Sequence, residues 1–287
     1  METLADLAAK GWKVRQKHFP PSLCLAYPSE TQTISVTGKG CELNCAHCGG
    51  VYLKGMKPLE DIISQGGISA ASCLISGGCT KAGNVPIAAY ADQLAAMKGD
   101  SRFNLHVGLV DDPDIAAIAR LADKVSFDFV GDDQTIHEVF GLNRTVADYV
   151  ACYRKLRNCC KVIPHICIGL HGGEIRGEYR ALELLQELGA DNLTFIIFTP
   201  TKGTRYADCS PPDLEAAVRV LAAARQLFPA APLHLGCMRP GGRYRQAADE
   251  WAVRVGMNTI VNPVPAAVRL AQELGLSIVK QQECCAL

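Results

Sequence analysis

Short apolar runs of the strand type alternate with helical patterns along almost the whole chain. The strand-like runs occupy 33–37, 73–76, 103–110, 124–130, 162–170, 192–198, 233–237 and 259–261. Between them, apolar positions recur at helical spacing over 87–98, 114–122, 147–157, 178–188, 214–228, 244–255 and 266–274. Several of these helical patterns stop at a glycine (Gly99, Gly189, Gly256, Gly275), the residue that ends a helix in the left-handed conformation. Runs such as Phe195-Ile196-Ile197-Phe198 are apolar on both alternating faces, as expected of parallel strands covered on both sides. Eight strand-then-helix units predict an α/β fold of the (β/α)8 barrel type. Residues 1–30 read as a helical extension, 31–276 as the barrel and 277–287 as a tail that carries cysteines. No linker, repeat or low-complexity segment divides the chain.

Composition narrows the setting. A chain of 287 residues with 48% hydrophobic content can bury one substantial core. Its formal net charge is zero, so no basic footprint for nucleic acid or a membrane surface stands out. The first nineteen residues alternate acidic, basic and apolar positions without a signal-like apolar core, and no apolar run approaches a membrane span. Fourteen cysteines in such a chain favour metal ligation over a disulfide framework, and a reducing cytoplasm is the expected location.

The densest chemistry is the run Cys41-Glu42-Leu43-Asn44-Cys45-Ala46-His47-Cys48, a C-x3-C-x2-C spacing on what reads as the loop after the first strand. Thiolates this close on one loop are soft ligands converging on one metal centre. Three are one short of a closed zinc or four-cysteine cluster site. A [4Fe-4S] cluster held by three cysteines keeps one iron open to a ligand, so the pattern points to chemistry rather than to a structural staple. The bland alternative is a zinc site or chance cysteine density.

This spacing resembles that of the radical S-adenosylmethionine (SAM) superfamily, built on TIM-type barrels. The resemblance implies that Cys41, Cys45 and Cys48 hold a [4Fe-4S] cluster whose open iron chelates SAM. It also implies reductive cleavage of SAM to a 5′-deoxyadenosyl radical, fed by an electron donor such as ferredoxin or flavodoxin. One departure is His47, where an aromatic residue usually precedes the third cysteine. Barrel enzymes carry their chemistry at the C-terminal ends of the strands, and the other matching runs fall there. Ser76-Gly77-Gly78 ends the second strand, where the family binds the SAM amino group. Gly169 and Glu174, in the run His165 to Glu174, resemble an element that flanks adenine and supports the SAM site, although His165 replaces a glycine and the glutamate is offset. Phe198 and Pro200, in an aromatic-x-Pro-x-x-Gly-Thr run that ends at Thr204, resemble a stretch that touches adenine and lines the substrate cavity. Asp128, among apolar residues of the fourth strand, needs a partner. A ribose hydroxyl, a core hydrogen bond and a helix cap all remain open for it.

The remaining cysteines set this chain apart. Cys79 follows the Ser-Gly-Gly run, Cys237 ends the seventh strand, and Cys284 and Cys285 sit in a tail long enough to cross a barrel face. Together they are candidates for a second iron–sulfur cluster, with Arg239 beside it as an anchor for an anionic part of the substrate or as a surface ion pair. Cys73, Cys152, Cys159, Cys160 and Cys167 lie within strand or helix patterns and fit small buried residues. The whole set is similar to the biotin-synthase-like group, which includes two-protein lipoyl synthases. That resemblance implies sulfur insertion into an unactivated carbon of an octanoyl chain, a carrier-protein-bound or small-molecule substrate, and a second radical SAM synthase as partner. A single-cluster isomerase or lyase, of the methylornithine synthase or hydrogenase-maturase kind, is the alternative, and a non-catalytic iron–sulfur or zinc protein is the third.

Overall fold

The computed structural model describes residues 2–287. All strands lie in one parallel sheet, in the order β11-β1-β10-β9-β8-β7-β6-β5-β4-β2-β3. They are β1 (Ser22–Ala26), β2 (Thr31–Ser35), β3 (Lys57–Pro58), β4 (Ser72–Ser76), β5 (Arg102–His106), β6 (Lys124–Asp128), β7 (Val162–Ile168), β8 (Leu193–Ile197), β9 (Leu233–Leu235), β10 (Thr259–Val261) and β11 (Ser277–Gln281). From β4 to β10 each strand pairs with the next in the chain, the pattern of successive βα units.

The first barrel strand is split. Its early half, β1, pairs with β10, whereas its later half, β2, pairs with β4. Residues 27–30 join the halves, and a link that short spans only about 17 Å. Chain continuity therefore draws the two ends of the β4-to-β10 run together and curls the sheet into a barrel. The eight expected barrel strands are all present. The structure adds β1 inside residues 1–30, the two-residue edge strand β3, and β11 inside the tail, paired along its full length with β1.

Alternation along the strands sorts the side chains into two environments. Phe103, Leu105, Val125, Phe127, Ile166, Ile168, Leu193, Phe195, Leu233 and Leu235 join the apolar core beneath the surrounding helices. The alternate positions face the lumen, where the polar Asn104, His106, Ser126, Asp128, His165, Thr194 and His234 stand beside the apolar Leu74, Ile163, Cys167 and Ile196. Helix α1 (Leu4–His18) starts from a capping box between Thr3 and Asp6 and packs on the helix Leu214–Leu227. A Cβ at its Gly11 would stand 2.6 Å from the Val255 carbonyl oxygen, so that approach requires glycine.

Candidate active site

The cysteine loop leaves the C-terminal end of β2 and is pinned on both flanks. The Val36 amide donates to the Ser76 carbonyl (2.8 Å), and the Gly78 amide donates to Thr37 Oγ1 (2.7 Å). On the other flank, the Ala46 amide donates to the Val139 carbonyl (2.7 Å) and the Tyr206 amide to the Ala46 carbonyl (2.9 Å). Arg205 Nη2 donates to the Asn44 carbonyl of the loop (3.4 Å) and to the carbonyl oxygens of Glu138 (3.1 Å) and Val139 (3.3 Å), which joins the segment after β8 to the loop and to the segment after β6. Gly49 and Gly50, at φ +51° and +73°, turn the chain directly after Cys48.

Cys41 is exposed, while Cys45 and Cys48 are half-buried. Burial, reinforced by the neighbouring Cys48, Cys79 and Cys41, pushes the Cys45 thiol up to about 12. A thiol held this way ionises when a cation joins it, which is the chemistry of a thiolate site for iron. Among the described residues, no three His, Cys, Asp or Glu side chains converge closely enough for a single metal ion. An iron–sulfur cube takes one cysteine per iron, so its thiolates stand farther apart than ligands of one ion.

The end of β4 lies flush against this loop. A Cβ on Gly78 would come within 2.0 Å of the Gly40 carbonyl oxygen and 2.5 Å of Cys41 Cα, while one on Gly77 would meet side-chain atoms at 3.0–3.2 Å. Gly78 is thus required by the loop's own approach. Ser76 Oγ donates to the His106 carbonyl (3.1 Å). Cys79, expected with Cys237 and the tail, stands instead beside Cys41. Its carbonyl accepts from the Glu42 amide at 2.9 Å and from the Cys41 thiol at 3.8 Å.

Inside the barrel, His106 Nε2 lies 3.1 Å from Asp128 Oδ2. Burial raises the Asp128 carboxyl, but the charge and hydrogen bond of His106 outweigh it and hold the group at about 2. The His165 ring stacks on His106 with centroids 5.8 Å apart. Burial first, and the neighbouring His106 charge second, hold His165 at about 4, so it is neutral. Its Nδ1 lies 3.0 Å from the Ile163 carbonyl and donates to it, which leaves Nε2 as an acceptor. His234 continues this row through the register His165, Thr194, His234, and neither of its ring nitrogens has a partner.

The tail lies against β2 and β5. The Cys284 amide donates to Thr31 Oγ1 (2.8 Å), Asn104 Nδ2 donates to Cys284 Sγ (3.8 Å), and Glu283 pairs with Arg102. The Cys285 thiol donates to Cys284 and lowers its pKa, and His106 adds to that effect. Cys237 lies within electrostatic reach of both tail thiols. Cys237, Cys284 and Cys285 therefore share one side of the lumen, without Cys79.

The other expected positions divide. Thr204 packs against Gly49 of the cysteine loop and donates to the Thr201 carbonyl (2.7 Å). Pro200 is half-buried near it, and Phe198 is buried with its ring edge-on to Tyr206. Gly169, at φ +74°, packs on Pro212. Glu174 is exposed in the following turn. The carboxylate that reaches the end of β7 is Glu178, whose Oε1 accepts from the Gly169 amide (2.7 Å) and whose Oε2 is buried without a partner. Arg239 is corrected: it is a buried structural ion pair. Its Nε and Nη2 bond Asp249 (2.5 and 3.0 Å), the Gly236 and Val261 carbonyls take further donors, and the side chain is fully buried, away from any substrate.

No protein-family model matches the chain, and no curated protein is detectably similar to it in sequence. Solved structures are similar in fold. Methylornithine synthase (PylB) superposes with a TM-score of 0.67 at 14% identity, over 98% of this chain and 91% of that one. HydG, a maturase of the [FeFe]-hydrogenase, gives 0.69 at 11% identity, over 98% and 70%. SuiB from Streptococcus suis, solved bound to S-adenosylmethionine, gives 0.50 at 15%, over 88% and 61%. At these identities the likeness establishes the fold, a curled parallel barrel of the kind radical SAM enzymes use, and leaves the chemistry to the residues.

Proposed function

We propose that this chain is a radical SAM enzyme acting on a small polar substrate held in the barrel lumen. Cys41, Cys45 and Cys48 would hold a [4Fe-4S] cluster. When bound, cluster and SAM together supply a 5′-deoxyadenosyl radical, which abstracts hydrogen from an unactivated carbon. The protein's part is to bind, orient and exclude water. The loop is held by β4 on one flank and by the segment after β8 on the other, so the reacting end of SAM would face the lumen.

One observation carries the substrate class: the lumen wall beside the loop bears the His106–Asp128 ion pair with neutral His165 next to it. An octanoyl chain laid there would desolvate these groups without bonding them, at about 1–3 kcal/mol for each polar group left unsatisfied. A molecule with its own donors and acceptors offsets that penalty. These polar groups therefore favour isomerase or lyase chemistry over lipoyl synthesis.

A second reading rests on the grouping of Cys237, Cys284 and Cys285. Together they would hold an auxiliary cluster for sulfur insertion into a polar substrate. The test is 5′-deoxyadenosine release by anaerobically reconstituted protein under dithionite, screened for stimulation by small polar amines, acids and polyols against an octanoylated carrier. Stimulation by the carrier alone would overturn the polar-substrate reading.

A further inference from the structure

The fourth thiol at the cysteine loop has no part in the reading above. Cys79 is half-buried and stands where the end of β4 meets Cys41. Its position is built rather than incidental. Gly78 before it has no room for a side chain against Gly40 and Cys41, and the Gly78 amide is tied to Thr37 Oγ1. The Cys79 carbonyl is tied to the Glu42 amide, and Glu42 Oε2 in turn accepts from the Lys81 amide at 2.9 Å. These bonds fix the β4 end to the segment that carries Cys41. The Cys41 thiol donates to the Cys79 carbonyl at 3.8 Å, so the two cysteines stand side by side.

We infer that Cys79 is the fourth ligand of the cluster held by Cys41, Cys45 and Cys48, closing it until SAM displaces the thiolate. This rests on the radical SAM reading and deepens it. Four thiolates satisfy all four irons of a [4Fe-4S] cluster. On SAM binding the Cys79 sulfur–iron bond breaks, the thiolate leaves and takes up a proton from solvent, and the amino and carboxylate groups of SAM take its place. No electrons move. A cluster guarded in this way keeps its fourth iron when idle.

The test compares reconstituted wild-type protein with Cys79→Ala and Cys79→Ser, without SAM, during stepwise ferricyanide oxidation. Iron loss and the electron paramagnetic resonance signal of a [3Fe-4S] product are followed. Cys237, Cys284 and Cys285 are the same in all three proteins, so any iron they hold cancels from the comparison. Cys79→Ala is expected to yield the three-iron signal several-fold faster than wild type, and SAM should bring the two proteins to the same slow rate. Cys79→Ser, which keeps size and a weaker ligand, falls between them and guards against a folding defect in the alanine variant. Wild type losing its fourth iron as fast as Cys79→Ala overturns the assignment while leaving the cluster in place. If no protein holds iron at Cys41, Cys45 and Cys48, this inference and the radical SAM reading fall together.

Discussion

His106 Nε2 and Asp128 Oδ2 lie 3.1 Å apart at the ends of adjacent strands β5 and β6. Burial opposes charge on both, and their mutual attraction wins: His106 is raised above 6.5 and Asp128 is held at about 2 against 3.8. The sign follows from linkage. The contribution of His106 is complete below about pH 6.5 and is lost as pH rises through its raised value. That of Asp128 is complete above about pH 4 and is lost as pH falls through about 2. The pair is therefore fully charged between about pH 4 and 6.5. Asp128→Asn should lower the His106 pKa, because burial is then opposed only by the smaller effect of Cys284. An NMR titration of the His106 ring protons reads this, and an unchanged midpoint would show that the two groups are not coupled.

Gly78 and Gly77 should respond differently to one added methyl group. At Gly78 the new Cβ meets backbone at 2.0 Å and Cys41 Cα at 2.5 Å, so Gly78→Ala must displace the cysteine loop. At Gly77 the neighbours are side-chain atoms at 3.0–3.2 Å, which can shift by tenths of an ångström. Bound iron per chain after reconstitution should fall several-fold in Gly78→Ala and little in Gly77→Ala. Equal iron in the two variants would contradict the close approach.

The Arg239–Asp249 pair is fully buried, and removing one partner leaves an uncompensated charge. Asp249→Ala should lower unfolding free energy by about 3–5 kcal/mol, whereas the double variant Arg239→Met, Asp249→Leu should recover most of that loss. Urea denaturation distinguishes this from a substrate role, in which stability would hold and turnover alone would fall.

Much of the barrel is legible because its strands are short apolar runs separated by helical periodicity, and because strand ends carry recognisable chemistry such as Ser76-Gly77-Gly78. β1 is not legible. Ser22–Ala26 is a brief run after two prolines, and its partners lie near residues 259–261 and 277–281, which no local pattern reveals. Of the lumen row, Asp128 stood out as a carboxylate in need of a partner, but His106 and His234 escaped for a similar reason, since only sheet register brings the row together. Glu178 was masked by Glu174, four residues earlier, since the reach of the carboxylate depends on the turn between them. Arg239 in a Gly-Cys-Met-Arg-Pro run looked like a surface group, because nothing local announces Asp249 on the following helix.

The tail can be tested by truncation. Ending the chain after Gln281 keeps β11 but removes the Arg102–Glu283 pair and both tail thiols. On the second reading the truncated protein should lose about half its iron while still cleaving SAM. If Cys284 and Cys285 serve only to line the lumen, iron per chain should not change.

The central claim is that Cys41, Cys45 and Cys48 hold the cluster that cleaves SAM. The most direct measurement is 5′-deoxyadenosine and methionine formation under dithionite by the reconstituted chain and by its Cys41→Ala, Cys45→Ala, Cys48→Ala triple variant. Wild type should form both products in equal amounts, and the triple variant neither, with its thermal unfolding largely preserved because none of the three cysteines belongs to the apolar core. Product formation by the folded triple variant, or none by a wild type loaded with iron, would contradict the account.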